Sequence, residues 1–148
     1  MRGLATNGWL NRSMHRLTGS RQHTIEQMEP HLDKLIRTRG VDSARTVNFM
    51  EVMANLLMAE GRQVDALPLT EQVYKHRLET LGPEHLRTLD AEMRLACNLD
   101  DVGEPYKALP HFRHGMEGWH RIFGAADEKV RAGTIRLTRC ERSVEGKN

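Results

Sequence analysis

An all-α array of stacked helical hairpins is the fold class this sequence predicts, and three observations predict it. Glycines recur at a fixed interval: Gly19, Gly61 and Gly103 are spaced by 42 residues, and so are Gly40, Gly82 and Gly124. Aligning residues 46–87 with 88–129 gives eight identities in 42 positions; besides the glycines they are Thr46/Thr88, Ala54/Ala96, Leu57/Leu99, Ala66/Ala108, Leu67/Leu109 and Pro68/Pro110. Between the glycines, apolar residues return at three- and four-residue steps, the period of a helix rather than of a strand. A fixed interval of about 20 to 50 residues marks supersecondary units that bury a core only against their neighbours.

The first unit, residues 4–45, is degenerate but in phase. Ile25, Met28, Leu32, Leu35 and Ile36 form the apolar stripe of its second helix, and Pro30 interrupts that stripe. In the second unit, Val47, Met50, Met53, Ala54, Leu57 and Met58 recur at helical spacing, and Phe49, Val52 and Leu56 widen the stripe nearly all round, so this helix is expected to be covered on several sides. Gly61 ends it. A second helix follows with Val64, Leu67, Tyr74, Leu78 and Leu81, and the segment Leu81–His85 breaks it through a C-terminal Gly82 with Pro83 behind. His85 reads as a turn or N-cap residue of the next helix.

The third unit repeats the plan. Leu95, Ala96 and Leu99 mark its first helix, and Tyr106, Leu109, Phe112, Met116, Trp119 and Phe123 its second, with Trp119 and Phe123 expected in the core. Pro105 suits that second helix's start, where its missing N–H costs little; Pro68 and Pro110 fall deeper and predict a kink or a later helix start. Residues 130–148 match a first helix alone, through Ile135, Leu137 and Val144, and carry Arg131, Arg136, Arg139 and Arg142 with Glu141 and Glu145. A polar terminal helix of this kind caps an array. The N-terminal edge has no such cap, which predicts a longer array or a partner at that edge.

Composition bounds the rest. A chain of 148 residues suits a single repeat domain over its whole length, large enough to bury roughly two-thirds of its unfolded surface. With 28% charged and 39% hydrophobic residues it reads as an ordinary globular protein, and a formal net charge of +2 gives no argument for nucleic acid or an anionic membrane. No apolar run approaches the ~18 residues of a membrane span, and the N-terminus lacks the continuous apolar stretch of a signal peptide, so a cytoplasmic location is expected. Cys97 and Cys140 read as reduced, structural thiols.

Ala54, Gly61, Ala66 and Leu67, followed by ETLGPEHLRTLDAE, resemble the 42-residue tetratricopeptide repeat of kinesin light chains and bacterial regulatory proteins. The resemblance covers residues 46–129 well, 4–45 weakly and 130–148 as half a repeat; HEAT repeats share the period, but the LGPEH linker favours the tetratricopeptide type. The resemblance implies a right-handed superhelix whose concave face, lined by first helices, holds a peptide or a partner's helix. Carried over position by position, it puts Trp9, Ser13 and Arg16 on the first unit's wall, Asn48, Glu51 and Asn55 on the second's, Asp90, Met93, Cys97, Asp100 and Asp101 on the third's, and Arg139 and Arg142 on the last. Where kinesin light chains carry a pair of Asn residues before the Leu-Ala pair, this chain has Glu51 and Val52, then Met93 and Arg94, a departure that argues against the kinesin cargo motif. The wall is acidic in its middle and basic at its end, a pattern that steers a complementary peptide, with Asp100 and Asp101 facing a basic segment.

Other chemistries find less support. His111 and His114 share a helix face as zinc ligands would, but no third ligand has a convincing spacing and there is no HExxH or CxxC, so hydrogen-bonded histidines are expected. There is no GxSxG elbow, P-loop or GxGxxG, and Cys97 has no evident base beside it. Asp90, Asp100 and Asp101 would oppose a phosphate backbone in the groove. The expectation is a non-enzymatic protein-interaction module with no cofactor and no metal; the alternative is a structural or oligomerisation segment that self-associates through its N-terminal edge.

Overall fold

The computed structural model describes residues 19–146. Among them the regular elements are six α-helices and no strand: α1 (Gly19–Arg39), α2 (Ala44–Ala59), α3 (Gln63–Leu81), α4 (Leu86–Asp101), α5 (Pro105–Phe123) and α6 (Glu128–Glu145). The 42-residue interval governs their ends. First helices begin at Ala44, Leu86 and Glu128, and second helices end at Arg39, Leu81 and Phe123.

The turn before each first helix has one construction. Ser43, His85 and Asp127 each take extended backbone geometry as N-cap, and each side chain accepts a hydrogen bond from a backbone N–H of the first turn, on Thr46, Arg87 and Lys129 respectively. A cap satisfies a donor that the helix itself leaves unpaired, which stabilises by ~1 kcal/mol. His85 thus fills the role the sequence gave it, while Ser43 and Asp127 do the same work with different chemistry. The opposite turns are equally regular. Arg62 N–H donates to Leu57 O and Gly61 N–H to Met58 O, and one period later Glu104 N–H donates to Leu99 O and Gly103 N–H to Asp100 O. This double closure requires a left-handed residue, which Gly61 (φ +74°) and Gly103 (φ +87°) supply without strain.

The chain forms two compact units, one up to Val73 and one from Tyr74, dividing within α3. In the first unit, α1 and α2 pack together, with the His31 and Phe49 rings 4.8 Å apart. Ile25, Leu32, Val47, Met50, Met53 and Leu57 are buried there, each contributing about 1.5–3 kcal/mol through removal of apolar surface from water. Gln72 in the middle of α3 donates to Asp42 in the α1–α2 turn (2.7 Å), and Arg62 pairs with the buried Asp65 (2.7 Å). Burial pushes the Glu29 carboxyl up, and Arg62 offsets part of that.

In the second unit, α4 packs on both α5 and α6. Three glycines allow the approach. A Cβ on Gly115 would meet the Met93 side chain at 2.6 Å, one on Gly118 would meet Leu89 at 2.5 Å, and one on Gly133 would collide with Met116 Sδ. Ala96, Ala108, Phe112 and Val130 complete this core, and the equivalent Ala54 and Ala66 are likewise buried in the first unit.

Several expectations are corrected. Pro68 and Pro110 do not delay their helices, which begin at Gln63 and Pro105; both lie inside, as Pro30 does in α1. The carbonyls that the rings leave without a donor belong to Glu26, Val64 and Tyr106, all exposed residues, where water is available to take the donor's place. Phe123 is not a core residue: it is 37% exposed, with the Lys129 ammonium 5.4 Å from its ring centre. Val52, expected to be covered, is 60% exposed, and Val64, Leu81, Tyr106 and Ile135 of the predicted apolar stripes are exposed as well. No described helix is long and apolar enough to cross a membrane.

Candidate interaction surface

One register of side chains stays outside the cores on each first helix. On α2 the exposed residues Asn48, Val52, Asn55 and Ala59 form a single stripe at helical spacing. On α4 the residues 42 positions later, Asp90, Arg94, Cys97 and Asp101, are incompletely buried, as are Leu86, Arg87 and Asp100 near the helix ends, and on α6 the register continues as Ala132, Arg136, Arg139 and Ser143. Asn48, Asn55, Asp90, Cys97, Asp101 and Arg139 of the predicted wall fall on this register. Val52, Ala59, Arg94, Ala132, Arg136 and Ser143 belong to it as well and were not assigned to the wall from the sequence; of these, the interval applied to Asn48 would have found Ala132.

The remaining wall residues place themselves differently. Trp9, Ser13 and Arg16 lie outside the described residues. Glu51 is half-buried beside the α2 stripe, and Arg142 is exposed on α6. Met93 is not a wall residue: only 3% exposed, it fills the space that Gly115 and Gly133 leave open between the three helices. Cys97 is half-buried; burial raises its thiol pKa and the Asp101 and Asp100 charges add to this against Arg136, so it lacks the thiolate character of a nucleophile. Cys140 is buried, and its thiol lies 3.4 Å from Pro105 O.

The charges of the wall are spent on one another. Arg136 reaches back from α6 to Asp101 Oδ1 (2.8 Å) and Cys97 O (3.1 Å), and Arg139 pairs with Asp100 Oδ2 (3.3 Å). Burial alone would lower the Arg136 pKa, yet its anionic neighbours outweigh this and raise it; since Cys97 is a neutral thiol at ordinary pH, Asp101 and Asp100 are the charges that hold it. Lys129 donates to Asp90 Oδ1 (3.1 Å), which also accepts from Trp119 Nε1 (3.0 Å), and its ammonium sits 4.8 Å from the Trp119 ring centre. The acidic middle and the basic end are therefore two sides of one ladder between α4 and α6. Asp100 and Asp101 do not face a partner as unpaired acids.

A second polar cluster lies where α4 meets α5. Glu92, 3% exposed, was not singled out from the sequence, yet it collects donors from two other helices. Its Oε1 accepts from Tyr74 Oη (3.2 Å) and lies 3.0 Å from His111 Nδ1, and its Oε2 lies 2.5 Å from His114 Nδ1. His114 Nε2 lies 3.0 Å from Glu84 Oε1 in the α3–α4 turn, and Arg121 pairs with the other Glu84 oxygen. Burial works against the Glu92 charge, but the hydrogen bonds from His111 and His114 outweigh it and hold the carboxyl below its usual range. Burial and the Glu92 charge push the Tyr74 phenol up to about 12. His111 and His114 are thus engaged with carboxylates, and among the described residues no group of three or more His, Cys, Asp or Glu is placed to hold a metal ion.

Comparison with models of known protein families and with curated proteins finds no match.

Proposed function

We propose that the chain is a right-handed α-solenoid of tetratricopeptide-like repeats, a non-enzymatic module that binds a peptide or a partner's segment along the face of its first helices. The observation that carries this reading is the recurrence, at one 42-residue register, of an exposed or half-exposed stripe on α2, α4 and α6, beside buried stripes that include the small residues Ala54, Ala96 and Gly133. A repeated surface register is what a helical array offers an extended ligand. The α4–α6 ladder supports a rigid wall at the C-terminal end, with the exposed Arg139 at its rim. The α2 stripe contributes amide groups rather than charge, through Asn48 and Asn55. A cytoplasmic location belongs to the same proposal.

Site-specific photo-crosslinking tests it. A benzophenone amino acid placed at Asn48, Asn55 or Arg139 should give discrete adducts with a partner, while the same group at the exposed Glu71 or Glu117 of the second helices should not. Adducts in equal yield from both sets, or from the second helices alone, would contradict the assignment. A second reading is a self-associating segment of a larger repeat protein, with Ile135, 71% exposed on α6, rather than the N-terminal edge as the apolar contact. Sedimentation across a concentration series separates the two, because a groove binder stays monomeric.

A further inference from the structure

We infer that Glu92, His114 and Glu84 form a proton-controlled clasp that fastens the α3–α4 turn and α4 to α5. The geometry carries this. His114 presents Nδ1 to Glu92 Oε2 (2.5 Å) and Nε2 to Glu84 Oε1 (3.0 Å). An ionised carboxylate only accepts, so both contacts are hydrogen bonds only when both ring nitrogens carry protons, which makes the imidazole a cation. Remove one proton and a ring lone pair faces a carboxylate oxygen.

The two carboxylates differ in freedom. Glu92 is buried and keeps the Tyr74 hydroxyl from α3 and His111 from α5 as partners. The Glu84 side chain is 55% exposed, so it is the partner that yields, leaving its ion pair with Arg121 to hold the turn to α5. That turn also holds His85, the N-cap of α4, so the release reaches the start of the helix. Around His114 the charged and titratable neighbours are therefore Tyr74 on α3, Glu84 in the turn, Glu92 on α4, and His111 and Arg121 on α5.

The sign follows from the partners. The Glu92 hydrogen bond, with Glu84 adding to it against burial, raises His114 above the ordinary 6.5, so the clasp's contribution is complete below 6.5 and is lost as pH rises through the higher folded value. Glu92 and Glu84 are lowered from 4.5, so their contribution is complete above 4.5 and is lost as pH falls through their folded values. The clasp is closed between these limits and opens on the alkaline side through His114 and on the acid side through the carboxylates.

The test is an NMR titration of the His114 ring in the full chain, with amide hydrogen exchange of residues 84–88 corrected for intrinsic rates. The His114 midpoint should lie above 6.5, and Glu84→Gln, a change at an exposed position that leaves the helical circular dichroism intact, should lower it. Protection of residues 84–88 should fall about tenfold as pH crosses the midpoint, the scale of one partly exposed charge-assisted hydrogen bond. In His114→Gln the protection should already be low at the pH where that of the parent is high. A midpoint at or below 6.5, a midpoint indifferent to Glu84→Gln, or turn protection that changes with pH equally in His114→Gln would overturn the clasp.

Discussion

Gly118→Ala sets two effects of known sign against each other. In a helix interior the change gains ~1 kcal/mol from the alanine's propensity. At Gly118, however, the new Cβ would lie 2.5 Å and 2.6 Å from the two δ carbons of Leu89 and 3.1 Å from its Cγ. Leu89 is fully buried, and rotating its branch only exchanges one methyl for the other, so relief requires α4 and α5 to separate. Overpacking of this kind costs ~1–3 kcal/mol, and with both methyls blocked the upper part of that range applies. The net expectation is a loss of about 1–2 kcal/mol, or ~2–8 °C in Tm for a chain of this size. Urea unfolding followed by far-UV circular dichroism measures it, with an unchanged denaturant slope showing that the native and unfolded states keep their compactness. Gly133→Ala is the comparator: the atom in its way is Met116 Sδ, part of a flexible side chain that can swing, so the loss should be less than half as large. A Gly118→Ala protein as stable as the parent would refute the close approach of α4 and α5.

Gly61→Ala and Gly103→Ala should each cost ~1–2 kcal/mol and should match one another, since both sites have positive φ and neither new Cβ meets an atom within 4 Å; urea midpoints check the pair. Asp100→Asn with Asp101→Asn should lower stability by ~0–1 kcal/mol for each pair lost with Arg136 and Arg139, an effect that shrinks at high salt and that an acid directed only at a partner would not show. The Tyr74 phenol should titrate near 12 in ultraviolet difference spectra of the folded protein; because its pKa is raised from 10.0, the stability it contributes is lost as pH climbs from 10.0 to about 12, and Glu92→Gln should bring the midpoint down.

What was legible in the sequence is what the backbone demands of particular residue types. A left-handed turn closure asks for glycine, so Gly61 and Gly103 stood out, and buried contacts between helices ask for small residues, so Ala54 and Ala96 did too. An N-cap asks only for a side-chain acceptor, which Ser43, His85 and Asp127 supply with three different side chains, and so this repeat was hidden from identity counting. Met93 was misplaced because the carried-over register ignores its neighbours: Gly115 and Gly133 open a space that draws its side chain inward. The pairing of Asp100 with Arg139, and of Glu92 with His111 and His114, joins residues on different helices, and charge signs along a chain do not reveal which of them meet.

Equal spacing of successive first helices is the most direct test of the repeat architecture. Nitroxide labels at the first residues of α2, α4 and α6, introduced as Ala44→Cys, Leu86→Cys and Glu128→Cys in a Cys97→Ala, Cys140→Ala background, define two pairs one 42-residue period apart. On the proposed solenoid, pulsed electron–electron resonance should give the same mean distance, with narrow distributions, for the 44–86 and the 86–128 pair. Clearly different distances, or a broad distribution for either pair, would contradict a regular solenoid and with it the continuous binding face.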